Sequence, residues 1–185
     1  MQAYKAVNNL GAEETIKSFI KAYNVSNVEA VKYIKPIPDF LRFDYYDLDV
    51  LNSYKGSQKE DVAIEATKAR IFKNYYIYNL VKNIKLDENS IKLLENEENY
   101  KIYSVEVEYI NLTKNIKDIS ELLYKEENTA EFLKFLKENA YKDKEKLNIY
   151  VVKDPKLGYR IDLSNKENYD LIGVLSGKLS TFTLK

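Results

Sequence analysis

The sequence predicts an α+β fold, with N-terminal helices packed on a curved antiparallel sheet and a helical insertion between two strand hairpins. Three observations lead there. Residues 12–24 carry apolar side chains at helical spacing, and residues 100–112 alternate with the period of a strand. Residues 145–163 then read as two alternating runs across a turn holding Pro155 and Gly158. Helices at the start and strand pairs later suit one sheet covered by a helical layer.

In the first helix, Glu13 and Glu14 occupy the first turn, where carboxylates favour the helix dipole. Ile16, Phe19, Ile20 and Tyr23 form its core-facing stripe. Ser26 and Glu29 match a capping box, so a second short helix is expected from Val28 to about Ile34. Pro36 and Pro38 end it.

Residues 36–59 are the least regular, mixing aromatic and acidic side chains from Asp39 to Leu51 before a polar turn around Gly56. A long helix follows from about Glu60 to Tyr76, striped by Val62, Ala66, Ala69, Phe72 and Tyr76. The period then changes. Leu80–Leu86 and Ser90–Leu94 read as strand around a bend at Asp87-Glu88-Asn89, and Glu95–Asn99 as an acidic turn. In the strand Tyr100–Leu112, Tyr103, Val105, Val107 and Tyr109 share one face, and Ser104, Glu106 and Glu108 the other.

Two helical pieces, about 115–125 and 129–142, make the insertion. Phe132, Leu133, Leu136 and Ala140 stripe the second. In the last hairpin Leu147, Ile149 and Val151 point one way, as do Tyr159, Ile161 and Leu163, leaving Arg160 on the opposite face. Residues 1–10 read as a loose arm and 164–185 as a C-terminal extension holding a short helix over Lys166–Leu175, so 1–185 is one domain.

Composition narrows the chemistry. The 185 residues carry 29 basic and 29 acidic side chains, a net charge of zero that argues against nucleic-acid binding and against an anionic membrane surface. There is no Cys and no His, which removes thiol nucleophiles, the commonest general base and the usual transition-metal ligands. No cofactor is implied. No apolar run is long enough to span a membrane, and the first residues lack the apolar core of a signal peptide. The abundance of Lys, Asn, Ile and Tyr (17 Tyr) points to an AT-rich genome, such as that of a low-GC Gram-positive bacterium.

Three stretches together resemble the nuclear-transport-factor-2-like superfamily of cone-shaped α+β domains, and more narrowly its bacterial extracytoplasmic members. They are Ala12–Tyr23 with Asn27–Ile34, the hairpin closing on Gly158-Tyr-Arg-Ile-Asp162, and the tail Asp170–Leu179. Tyr159 stands where relatives often place Trp. The resemblance implies a non-catalytic binding or assembly domain of a Gram-positive envelope lipoprotein or anchored protein, held outside the cytoplasm through a removed leader. A cytoplasmic location is the alternative. It also leaves room for a small-molecule-binding or enzymatic cone, or for a scaffold of a conjugation or type IV secretion machine. A protein partner or self-association is therefore expected, with a small-molecule ligand as the alternative.

Candidate chemistry is sparse. Glu106 and Glu108 lie about 7 Å apart on one strand face, a spacing open to acid–base work but also that of a solvated sheet face. Asp44, Asp47 and Asp49 lack the Gly and closing Glu of a calcium loop, so no metal site is assigned. Tyr45, Tyr46, Tyr75, Tyr76 and Tyr78 are dense enough to line a pocket, yet suit a core equally. Phe40, Tyr45 and Tyr46 are the candidates for a ligand or partner surface, because an irregular segment often covers a cone's mouth. Asn24-Val-Ser26 and Asn111-Leu-Thr113 match glycosylation acceptors.

Overall fold

In the computed structural model, residues 9–35, 81–115 and 140–178 are described, together with Lys134 and Glu138. They form an α+β unit around an open, five-stranded mixed sheet. The helices are α1 (Ala12–Val25), α2 (Asn27–Ala30) and α3 (Tyr169–Leu175). The strands are β1 (Ile34–Lys35), β2 (Lys85–Asn96), β3 (Tyr100–Ile110), β4 (Lys142–Asp154) and β5 (Gly158–Asp162), in spatial order β1-β5-β4-β3-β2.

The helix α1 forms where the apolar stripe predicts it. Ile16, Phe19 and Tyr23 are fully enclosed, and Ile20 nearly so. Its exposed face is tied by Lys17, which reaches Glu13 at 3.0 Å and Glu14 at 3.3 Å. Ser26 caps α2 as its spacing predicts, with its hydroxyl oxygen accepting from the Glu29 amide at 3.2 Å. Glu29 does not complete the reciprocal half of the box. Its carboxylate pairs instead with Lys32 at 2.5 Å, while the Ser26 amide donates to the Ala22 carbonyl at 2.9 Å.

The helix expected to reach about Ile34 ends as an α-helix at Ala30. A 3-10 turn covers Val31–Tyr33, after which Ile34 turns extended (φ −123°, ψ 160°) and becomes β1. Burial explains the switch, because Ile34 sinks to 4% exposure while pairing with Ile161. That pairing is parallel, so the sheet is mixed rather than purely antiparallel as the strand periods suggest. A two-residue strand leaves too little period to read from sequence.

The central ladder of β3 and β4 runs unbroken from Tyr100↔Val152 to Ile110↔Lys142. Tyr103, Val105, Val107 and Tyr109 share the buried face with Leu147, Ile149 and Val151. On the other face Glu106 is exposed and Glu108 half-buried. The strand β2 begins at Lys85, later than the expected Leu80, because Val81 lies in a 3-10 turn and Ile84 is fixed by Asn24. The Asn24 amide donates to the Ile84 carbonyl at 2.7 Å and accepts from the Ile84 amide at 3.0 Å, imitating a strand neighbour. The bend expected at Asp87-Glu88-Asn89 is a bulge inside one strand, where the register slips between Asp87↔Glu106 and Lys92↔Ser104.

The β4–β5 hairpin closes on Asp154, whose Oδ1 accepts from the amides of Lys156 (2.9 Å) and Leu157 (3.0 Å). Those amides hold its carboxyl below the usual carboxylate range. Gly158 follows at φ 77°, a conformation that favours glycine. Strand β4 already begins at Lys142, where a helix end is expected from sequence. Of the proposed insertion, helical Lys134 and Glu138 are described, 4.0 Å apart as an i,i+4 pair.

Arg160 departs from the expected solvent face. It is 3% exposed, and its Nη1 donates to the Lys32 carbonyl. The C-terminal stretch is equally interior, with Leu171, Ile172, Val174 and Leu175 joining the same core as α1 and the sheet. Asn168, fully enclosed, accepts from the Tyr150 amide at 2.9 Å and donates to the carbonyls of Tyr150 (2.9 Å) and Asp162 (2.6 Å). One side chain thus clamps β4, the end of β5 and the start of α3. Among the described residues no helix is long and apolar enough to cross a membrane.

Candidate functional site

Two places on the described surface bring ionisable side chains together. The first is a solvent-open groove of about 520 Å³ where β2, β3 and β4 run side by side. Strand register builds it. Lys85 lies opposite Glu108 and Asp87 opposite Glu106, while Lys146 and Lys144 face the same two glutamates from β4. In one row Glu108 stands between Lys85 and Lys144, an alternation cross-strand pairs favour, whereas in the other the like charges Asp87 and Glu106 are neighbours with Lys146 beyond them. The Lys85 ammonium is 3.6 Å from Glu108. The sequence-predicted pair Glu106 and Glu108 therefore shares a groove, in which Lys85 pairs with Glu108 and Lys146 lies opposite Glu106 in register.

The second cluster lies on the core side, where β3 and β4 meet the end of α3. The Glu145 carboxylate accepts from the Tyr109 phenol at 3.0 Å and pairs with the Lys178 ammonium at 2.7 Å. The same ammonium lies 5.5 Å from the centre of the Tyr109 ring. Burial, and then the Glu145 hydrogen bond, push the Tyr109 phenol far above the usual tyrosine range. The phenol is thus fixed as a donor. Beside it, Asp143 accepts from Asn111 at 2.8 Å and pairs with Lys114 at 2.9 Å, and these two contacts hold its carboxyl below the usual range. Lys114 in turn lies 3.9 Å from the centre of the Tyr141 ring.

Chemically this cluster is a set of matched charges. Each carboxylate meets a cation and a neutral donor, and through Lys178 these contacts fasten the turn after α3 to the sheet. The backbone shares the task, because the Leu112 amide donates to the Gly177 carbonyl at 2.9 Å.

A third ionisable group sits apart. Lys82 donates to the Asn27 Oδ1 at 2.5 Å and lies 4.8 Å from the centre of the Tyr23 ring. Burial lowers its pKa to about 8. Tyr23 itself donates its phenol proton to the Leu175 carbonyl, so Lys82, α1 and α3 meet at one ring.

Comparison with known protein families, curated proteins and solved structures gives no match.

The sequence-predicted surface residues Phe40, Tyr45 and Tyr46 lie outside the described residues, as do Asp44, Asp47, Asp49, Tyr75, Tyr76 and Tyr78. Both glycosylation-type asparagines are engaged in the fold. Asn24 braces Ile84, and Asn111 bonds Asp143 while its Oδ1 accepts from the Thr113 amide (3.1 Å) and hydroxyl (2.5 Å). Sequence reasoning passes over Glu145, Asp143 and Lys178. Alternation along β4 places Asp143 and Glu145 in line with Leu147 and Ile149, so charges on an otherwise apolar face were the available signal.

One surface remains. The strand β2 ends the sheet among the described residues, and Leu93 and Leu94 on it are 47% and 53% exposed. A sheet edge presents unpaired backbone donors and acceptors, and bulges such as those after Asp87 and Leu93 blunt it.

Proposed function

We propose that this chain is a non-catalytic binding or assembly domain working outside the cytoplasm, part of a Gram-positive envelope lipoprotein or anchored protein. In this reading its sheet curves around the helices as in the nuclear-transport-factor-2-like cone. The observation that carries the reading is the edge of β2, where two adjacent leucines are exposed on the strand that ends the sheet among the described residues. Strand edges recruit protein segments by backbone pairing, with exposed apolar side chains adding contact area. The two polar clusters lend support. Lys85 answers Glu108 across the sheet, and Lys178 in the turn after α3 answers Glu145.

A photo-crosslinking side chain at position 93, introduced in the source cell, tests the reading. A discrete crosslinked product, absent when the probe sits at exposed Lys21 on α1, is the expected result. Equal labelling from both positions would sink it. Fractionation of the native gene product tests the location separately, and recovery in the cytosol would overturn that part.

The groove over Glu106 and Glu108 favours a second reading, a small-molecule site. Its volume lies in the range of ligand pockets, roughly 300–1,000 Å³. Its lining is dominated by charged side chains, whereas such pockets are mostly apolar with few polar groups. The edge-binding reading is therefore preferred.

A further inference from the structure

We draw no further inference here: the strongest candidate, the outer edge of β2 with its exposed Leu93 and Leu94, carries nothing beyond the proposed binding role because nothing in the structure shows what covers it.

Discussion

Replacing Gly177 by Ala should be among the most damaging single-methyl changes this fold admits. Gly177 follows α3 at φ 59°, where its amide donates to the Val174 carbonyl at 3.1 Å and the Lys178 amide reaches back to Gly173 at 2.7 Å. That pair of bonds is the glycine-closed helix end known as the Schellman motif. A β-carbon here would stand 2.9 Å from Val81 Cγ1 and 3.1 Å from both the Ile110 carbonyl oxygen and Leu112 Cγ. Val81 and Leu112 are each 1% exposed, and the third obstacle is backbone, so the walls have little room to retreat.

Two costs follow. A left-handed alanine costs about 1–2 kcal/mol, and overpacking a filled site about 1–3 kcal/mol. Their sum is about 2–5 kcal/mol, to be read from urea unfolding monitored by circular dichroism. With a slope of about 2 kcal/mol per molar, the midpoint should fall by about 1–2.5 M. The control is Gly11→Ala, where φ is −65° and no atom lies within 4 Å of the new methyl group. It should stay within about 0.5 kcal/mol of wild type. If Gly177→Ala also unfolded within about 0.5 kcal/mol of wild type, the docking of the turn at residues 176–178 against the end of β3 would be wrong.

Two further outcomes are expected. Arg160→Ala should destabilise by about 1–3 kcal/mol, because it removes a buried donor from the Lys32 carbonyl. A urea midpoint equal to wild type would return Arg160 to the solvent face that strand alternation assigns it. Lys82→Met should change how stability responds to alkali. Burial lowers the folded pKa of Lys82 to about 8 from 10.5, so between those values the unfolded chain binds more protons. Wild-type stability therefore gains from Lys82 as pH rises through that window, and the variant lacks the gain. Urea midpoints of both proteins at pH 7.5 and pH 10 should show wild type improving relative to Lys82→Met, and an unchanged difference would refute the burial of this ammonium.

What was legible in the sequence is what a period reports. The stripe Ile16, Phe19, Ile20, Tyr23 and the alternations through Val105 and Ile149 give α1, β3 and the final hairpin, because each buries one face against a common core. The parallel strand β1 was not legible, since two residues have no period and their pairing with β5 depends on chain more than a hundred residues away. Arg160 was misplaced for a related reason. Alternation tells which way a side chain points, and here the 3-10 turn ending at Tyr33 supplies a buried acceptor on the nominally outer side. Asn24 and Asn168 were silent as well. An asparagine that imitates a strand neighbour looks in sequence like any polar residue near a helix end.

The residues after Asp170 show how much of a sequence pattern packing alone can dictate. In Gly-Val-Leu-Ser-Gly-Lys, residues 173–178, packing accounts for the buried positions and for Gly177. Val174 and Leu175 are fully enclosed, and the Ser176 hydroxyl donates to the Gly173 carbonyl at 3.0 Å. Gly177 is required by its conformation and its walls. At Gly173 the stem of Lys178 crosses the helix closely, so a β-carbon there would lie 3.3 Å from its Cδ and Nζ and the side chain would have to shift by a few tenths of an ångström. Its ammonium pairs with Glu145, which also accepts from the Tyr109 phenol. These constraints come from closing a helix against a sheet and name no ligand. A pattern of this kind reports how a helix end packs, and function has to be sought on surfaces the packing leaves free, among the described residues the edge of β2.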